Sequence, residues 1–367
     1  MNSAAGKEAR IPYLDGLRGY SILTVLLDHS IGANGRWLGK HPYLHALVGD
    51  GTLGVRIFFV LSGFLITTLL LQEEDKRGRI SIRGFYERRI ARIFPVFYLY
   101  LAVMLLLRIM HLLPLQWSVL ASAATFTSNL TFLFRQGGAA DTTLVLGHFW
   151  TLSIEEQFYL IWPSCLVYLG RRWSLRLAGV VMVLLPLVRF TAALFFRDSH
   201  SRSWFLYRTA QDQILWGVLA AFLVQGGVLE RLRYVRYRVA LLIVPLLIVF
   251  VLCPALNWYS PLEMHAWLVP TLQTASTVVL LFWLLSGEGG LLRRGLESWP
   301  AVQLGLLSYS LYIWQQPFTE WSRLAVIPFP INILLALCIA IVSYRVVEIP
   351  SRRRIRLWFA QGAPAHT

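Results

Sequence analysis

Long apolar runs recur along the whole chain, and short segments that carry most of the charged residues separate them. A helix needs about 20 apolar residues to cross a hydrocarbon core about 30 Å thick, and each run is close to that length. The pattern predicts an all-α polytopic membrane protein with about ten transmembrane helices. The predicted spans are 13–32, 53–72, 93–113, 149–169, 177–196, 211–229, 239–256, 266–285, 303–321 and 330–347.

An eleventh apolar stretch, 117–134, is more polar than a helix that faces lipid should be, because it contains Thr125, Thr127, Ser128 and Asn129. Backbone at membrane depth must be helical or covered by protein. We expect this stretch to be re-entrant or to lie at the membrane interface.

Composition agrees with the pattern. Of the 367 residues, 56% are hydrophobic and only 14% are charged, whereas a soluble protein carries about 25% charged residues. A soluble or disordered chain is excluded, and one integral-membrane domain over 1–367 is expected. Its three cysteines have no metal-binding spacing and imply no disulfide framework.

The net charge of +15 is typical of the basic loops on the cytoplasmic side of a membrane, so it does not indicate nucleic acid. If 117–134 does not cross and both termini are cytoplasmic, inner segments carry 22 Lys and Arg and outer segments 7. If it crosses, the split becomes 14 to 15. The positive-inside rule favours the first arrangement.

Charged residues inside the spans need a reason, because each costs about 2.5–3.5 kcal/mol on insertion scales. Arg18 and His29 lie on one face of the first span, about 16 Å apart along its axis. Glu155 and Glu156 open the fourth span, at an expected depth close to that of His29. A carboxylate there can fix the tautomer of the imidazole and stabilise its charged form. The simpler alternative is that Arg18 snorkels and His29 ends the helix.

Arg89 and Arg92 are three residues apart at the cytoplasmic mouth of the third span. Their guanidinium groups share a helical face and make a fork suited to phosphates, although positive-inside topology alone would also place basic residues there. Ser62 is a weak candidate nucleophile, because no base stands beside it in sequence. Arg56, in the same span, could snorkel or line a site.

Taken in order, these residues resemble the membrane acyltransferase 3 family, the bacterial O-acyltransferases that modify surface glycans and some secreted molecules. The likeness covers about 11–350. Its motifs are Leu14-Asp15-Gly16-Leu17-Arg18 followed by His29, the run Phe58 to Phe64, Arg89 with Arg92 before Pro95, Trp150 to Tyr159, and Ser308 to Tyr312. The family often has Asp where Arg56 stands and His where Gln315 stands.

The resemblance implies an acyl-CoA donor, usually acetyl-CoA, a carbohydrate hydroxyl as acceptor, and no tightly bound cofactor or metal. Arg18, Arg89 and Arg92 would hold the donor. His29 would be a general base or a transient acyl carrier, with Glu155 as the other catalytic residue. The candidate acceptor site consists of Asp15, Arg56, Trp150, Glu156, Tyr312 and Gln315. We expect the bacterial inner membrane as location, with both termini cytoplasmic.

A transporter of a glycan precursor or an organic anion is the alternative, because ten spans with buried charge suit that class as well. Transporters usually show paired halves with broken helices at matching positions. No such halves are visible in this sequence, so the acyltransferase interpretation is preferred.

The charge split makes a testable prediction about sidedness. Single cysteines introduced at Ala140 and Trp204 should react with a membrane-impermeant thiol reagent added outside. Cysteines at Trp173 and Tyr234 should react only when the cytoplasmic face is exposed. External labelling of both Ala140 and Trp173 positions would contradict this topology.

Overall fold

The computed structural model describes residues 11–32, 41–48, 50–130, 144–195, 209–233, 238–259, 262–287, 290–319 and 327–361. Within these ranges the regular structure is helical and contains no strand. The helices are α1 (Pro12–Gly32), α2 (Pro42–Val48), α3 (Gly51–Arg77), α4 (Ile82–Ile109), α5 (Trp117–Ala124), α6 (Phe149–Phe195), α7 (Gln211–Gln225), α8 (Val228–Arg233), α9 (Arg238–Leu247), α10 (Cys253–Tyr259), α11 (Leu262–Leu285), α12 (Leu291–Leu296), α13 (Trp299–Trp314), α14 (Gln316–Thr319), α15 (Ile331–Ser343) and α16 (Ile349–Gln361). Two π-helical segments, Ile248–Leu252 and Tyr344–Glu348, join α9 to α10 and α15 to α16.

The described chain contains six segments long and apolar enough to cross a membrane, so the expected count of ten is not confirmed. They are Pro42–Arg77, Ile82–Ile109, Phe149–Ala192, Arg238–Tyr259, Trp267–Leu285 and Ile331–Ile355. The predicted spans 149–169 and 177–196 both fall in α6, which is divided at Gly170 by non-helical backbone with φ 73° and ψ 167°.

Three predicted spans are not among these six segments, each for a local physical reason. α1 carries Asp15, Arg18 and Asp28, which lower its hydropathy. α7 has only 15 residues, because Gly226 and Gly227 end it, the latter with φ 82°. α13 has 16 residues and stops at Trp314, three residues before Pro317.

The segment predicted not to cross the membrane begins with α5, which has eight residues and is followed by turns up to Leu130. Eight residues rise about 12 Å, less than half of a hydrocarbon core. Tyr98 of α4 donates a hydrogen bond to the carbonyl of Ala124, at 3.3 Å. These features agree with a re-entrant or interfacial segment as far as residue 130, while 131–134 lies outside the described residues.

Glycines allow the central helices to approach backbone to backbone. A Cβ at Gly63 of α3 would lie 2.0 Å from the carbonyl oxygen of Ile214 in α7, and a Cβ at Gly217 would lie 2.0 Å from that of Val60. The contact is therefore reciprocal. Small residues at such positions let transmembrane helices pack closely, which is their main source of association in lipid.

Glycines also bring α1 close to the end of α12 and to α13. A Cβ at Gly16 would lie 1.8 Å from the carbonyl oxygen of Leu296, and one at Gly305 would lie 1.8 Å from that of Asp15. Gly54 of α3 faces Ser21 and Thr24 of α1. Glycine contacts thus hold α13, α1, α3 and α7 together in that order.

A buried ion pair connects the second half of α6 to α7. Arg189 is fully buried and donates to both carboxylate oxygens of Asp212, at 2.6 and 2.7 Å, and to the carbonyl of Thr209 at 2.9 Å. A bidentate guanidinium–carboxylate pair is the geometry in which buried charges offset each other's desolvation best. The pair satisfies two charges that would otherwise be costly at this position.

The glycine contacts predict an asymmetry between substitutions. Gly63→Val and Gly217→Val should each lower the melting temperature of the detergent-solubilised protein, because overpacking typically costs about 1–3 kcal/mol and here the clash is with backbone. Gly179→Ala is the matched control, since nothing lies within 4 Å of a Cβ there. Equal melting temperatures for all three variants would contradict the packing described.

Candidate functional site

Ser62, Glu155 and Tyr159 form a hydrogen-bonded group where α3 meets α6. The hydroxyl of Ser62 donates to Oε1 of Glu155. The hydroxyl of Tyr159 lies 3.2 Å from Ser62 Oγ and 3.2 Å from the same carboxylate oxygen. Glu155 and Tyr159 reach one point because they are four residues apart on one helical face. No base stands beside Ser62 in the sequence, but the fold brings a carboxylate to it.

Three guanidinium groups surround this group, and we call Arg18, Arg89 and Arg92 the arginine cluster. Arg89 stacks over the ring of Tyr159 at 4.8 Å, and Arg18 lies 5.9 Å from the ring centre of Phe58. Arg92 is close enough to interact electrostatically with both other arginines. The three residues predicted to bind the donor therefore come together at one place.

Carboxylates lie around the arginine cluster without pairing with it. Asp15 and Glu155 interact electrostatically with Arg18, and Glu156 interacts with Arg89. Within the described part of the chain, none of the three arginines forms a hydrogen bond or ion pair with a carboxylate. The guanidinium groups are thus left with donors available to another anion.

Tyr309 and Glu348 complete this end of the site. The hydroxyl of Tyr309 donates to the carbonyl of Ile93 at 2.8 Å, next to Arg92 in sequence. Glu348 is buried in a π-helical segment, accepts a hydrogen bond from Ser310 at 2.5 Å, and pairs with Arg352. Glu348 is therefore satisfied by its own partners.

Arg56 lies on a different face of α3. It is buried and donates to Thr52 Oγ1 at 3.1 Å and to Oε1 of Gln273 in α11. Gln273 in turn donates to Asp50 at 3.2 Å. Six residues separate Arg56 from Ser62, which is about 240° around the helix, so the two side chains point apart. The structure does not bring Arg56 to the Ser62–Glu155 group.

The other predicted acceptor residues are divided between two places. The ring of Trp150 packs edge-on against Phe59, with ring centres 6.3 Å apart. Tyr312 is buried, contacts the hydroxyl of Thr151, and donates to the carbonyl of His148 at 3.1 Å. The amide of Gln315 is fully buried and has no hydrogen-bond partner among the described residues. Asp15 and Glu156 stay with the arginine cluster.

His148 is a polar residue that the sequence analysis missed. It directly precedes α6, is buried, and lies close enough to His29 for the rings to interact electrostatically. Its ring contacts Tyr100, Phe149 and Tyr312, with centres 6.0, 4.7 and 5.2 Å away. A histidine immediately before the Phe149-Trp150 start of a span was the available signal.

The expected match in depth between Glu155 and His29 differs from the structure. Ser62, which binds Glu155, lies about 12 Å along α3 from Gly54, and Gly54 packs against Ser21 and Thr24. Glu155 thus lies toward the Arg18 end of α1, and His29 lies toward the other end. The difference arises because Val145, Leu146 and His148 are already buried inside the bundle, so α6 begins below its surface.

Among the described residues, no three His, Cys, Asp or Glu side chains come together in a way that could hold a metal ion.

Comparison with known proteins identifies the family of this chain. The family described as "Acyltransferase domain" matches residues 11–346. An inferred O-acetyltransferase of Staphylococcus aureus (strain COL) is 30% identical, over 96% of this chain and 60% of its own length. The O-acetyltransferase OatA of the same strain is 26% identical, over 94% of this chain and 57% of its own length. This chain therefore spans about 60% of the relatives it matches. No solved structure matches it. The chain belongs to the acyltransferase family that this domain defines.

Proposed function

We propose that this protein is an integral-membrane O-acyltransferase that moves an acyl group, most simply acetyl, from acyl-CoA to a hydroxyl of a carbohydrate. The observation that carries the proposal is the arginine cluster, three guanidinium groups inside a helical bundle with no carboxylate bound to them in the described chain. Membership of the family and the names of its relatives support the reaction class.

The arginine cluster suits the phosphates of CoA. Guanidinium groups bind phosphate oxygens through paired, charge-assisted hydrogen bonds. These hydrogen bonds are stronger where bulk water is excluded. The neighbouring carboxylates balance the positive charge when the site is empty, so the bundle can hold the arginines without a bound anion. The donor would then displace no existing ion pair in order to bind.

A path for the acyl group runs from the arginine cluster toward His29. Phe58 contacts Arg18 at one side and packs against Tyr312 at the other, with ring centres 6.5 Å apart. Tyr312 contacts the backbone of His148. The long pantetheine arm of CoA could lie along this line, which spans the roughly 16 Å between Arg18 and His29 along α1.

The chemistry at the end of that path follows from His29. As a general base, it would take the proton from the acceptor hydroxyl while the oxygen attacks the thioester carbon. As an acyl carrier, it would form a bond to that carbon first and pass the acyl group on. The catalytic role of Glu155 stays a prediction, and its contacts associate it with the donor end of the path.

The acceptor site stays a prediction as well. Tyr312 and Gln315 lie on the His148 side, where a sugar hydroxyl would meet the acyl group. Carbohydrate is preferred as acceptor because the family's members modify glycans. The inner membrane as location and cytoplasmic termini are part of the proposal, since a cytosolic donor must reach Arg89 and Arg92. No observation favours the transporter alternative.

The donor assignment predicts that Arg89→Ala and Arg92→Ala each weaken binding of CoA to the purified protein. A lost charge-assisted bond is worth about 1.5–3 kcal/mol, so the dissociation constant should rise roughly 10- to 100-fold. Arg→Lys at either position should recover only part, because lysine offers a single charge and no fork. Isothermal titration with CoA measures this.

The matched control for those variants is Arg83→Ala. Arg83 is exposed on the first turn of the same helix and pairs with Glu87 at 2.8 Å. The substitution Arg83→Ala removes one positive charge and leaves the arginine cluster unchanged, so the affinity for CoA should not change. If Arg89→Ala and Arg92→Ala both bind CoA with wild-type affinity, these arginines do not bind the phosphates of the donor.

His29→Ala should abolish acyl transfer while leaving CoA affinity near that of the wild type, because His29 is about 16 Å from Arg18. Transfer is followed by mass spectrometry of an acceptor glycan in membranes, and CoA binding serves as the test of folding. Retention of most activity in a variant that binds CoA normally would end the catalytic assignment of His29.

A further inference from the structure

The ring of His148 is held by an amide that fixes its tautomer. Oε1 of Gln316 accepts a hydrogen bond from the backbone N–H of His148 at 3.0 Å and also contacts Nδ1 of the ring. A backbone N–H can only donate, so the atom that meets both nitrogens is the amide oxygen. Nδ1 must therefore carry the proton, and the neutral ring keeps its lone pair on Nε2.

The sequence around Pro317 strengthens this arrangement. Proline has no N–H, so the carbonyl of Ile313, four residues earlier, loses its helical partner. That carbonyl lies close enough to the ring of His148 to share the Nδ1 proton with Gln316, since Nε2 has no hydrogen-bond partner among the described residues. The break between α13 and α14 thus supplies both groups that orient the ring, one from the side chain of Gln316 and one from the backbone.

The lone pair on Nε2 is not used within the described part of the chain. His148 is only 3% exposed, and its Nε2 has no hydrogen-bond partner there. The amide of Gln315, one residue from the orienting glutamine, is also fully buried and unpartnered in the same ranges. Buried polar groups without a hydrogen-bond partner are rare and destabilising, so two together call for a ligand that carries hydrogen-bonding groups.

We propose that His148 is a second catalytic histidine of this protein, with Nε2 as proton acceptor for the hydroxyl group that receives the acyl chain. The inference rests on the proposed acyl transfer and adds a residue to it. Gln316 is then a positioning residue, since it acts only through the tautomer and orientation of His148.

The step balances without any further reactant. The O–H bond of the acceptor breaks and its proton goes to Nε2 of His148, while the oxygen forms a bond to the acyl carbon. The bond from that carbon to its leaving group breaks, and the leaving group takes the electron pair. The proton on His148 then passes to the leaving thiolate or to water. His29 and His148 lie close enough to interact electrostatically. With His148 as proton acceptor, His29 keeps the second of the two roles given above, that of acyl carrier.

The test compares variants of His148 in membranes and in purified protein. His148→Gln retains polar atoms but has no basic nitrogen, so the rate of acyl transfer should fall at least 100-fold. CoA affinity should stay at the wild-type value, because the arginine cluster is untouched. His148→Ala should fall as far, and added imidazole should restore part of its activity by occupying the vacated space.

Gln316→Leu separates positioning from chemistry. It removes the acceptor that holds the Nδ1 proton, so transfer should slow by a smaller factor, and imidazole should not restore it. His111→Asn is the control, because His111 is an exposed histidine with φ 56°, a backbone conformation that asparagine tolerates.

The outcomes are distinct. Wild-type transfer by His148→Gln would overturn the proposal while leaving the acyltransferase function standing. Loss of activity in His148→Ala with normal CoA binding but no imidazole rescue would also overturn it, because it would assign a packing role. Absence of acyl transfer by the wild-type protein, with normal CoA binding, would count against the proposed function itself.

Discussion

Close approach of helix backbones at glycine is the constraint on which the rest of the bundle depends. In lipid the hydrophobic effect does not drive helices together, so contact area and short backbone distances must do so. Gly16, Gly54, Gly63, Gly217 and Gly305 each lack room for a Cβ. They set the rotation of α1, α3, α7 and α13, and that rotation decides which polar side chains share the interior.

Ser62 shows how packing turns a weak sequence signal into a site. It adjoins Gly63, and the close contact of Gly63 with α7 leaves Ser62 facing α6, where Glu155 and Tyr159 meet it. The adjacent turn brings Phe58 under Arg18. A bulkier residue in place of Gly63 would push α3 away from α7 and change both contacts. The contacts of Ser62 with Glu155 and Tyr159 therefore depend on the close approach of α3 and α7 at Gly63.

The sequence allowed much of this to be predicted, because membrane helices have a strong composition signal and the motifs are ordered along the chain. The all-helical fold and the grouping of Arg18 with Arg89 and Arg92 follow from that signal. The position of Glu155 relative to His29 did not, since depth was counted from the start of each apolar run. α6 begins inside the bundle, and no periodicity in the sequence shows that.

Long-range polar pairs were also beyond the sequence. Arg189 and Asp212 are 23 residues apart in the chain and lie on different helices, and no local pattern shows that those helices meet at this point. Arg56 and Gln273 are 217 residues apart, and the same holds for them. In both cases the side chains look like ordinary candidates for a site until the partner is known. A charge that already has its buried partner has less free energy to gain from a ligand.

That distinction gives a criterion for function within this bundle. Arg56, Arg189 and Glu348 are buried and paired by the protein itself, so binding a ligand would first break those contacts. The arginine cluster carries the opposite feature, since its guanidinium groups have carboxylates nearby and none bound in the described chain. At the other end of α1, Nε2 of His148 and the amide of Gln315 are buried without a hydrogen-bond partner among the described residues. Phe58 and Tyr312 pack against each other between the arginine cluster and His148, along the path proposed above for the acyl group. Under the proposed function, the acyl group of a donor bound by its phosphates at one end would reach the other end most easily along an apolar wall. The aromatic packing along that path supplies such a wall.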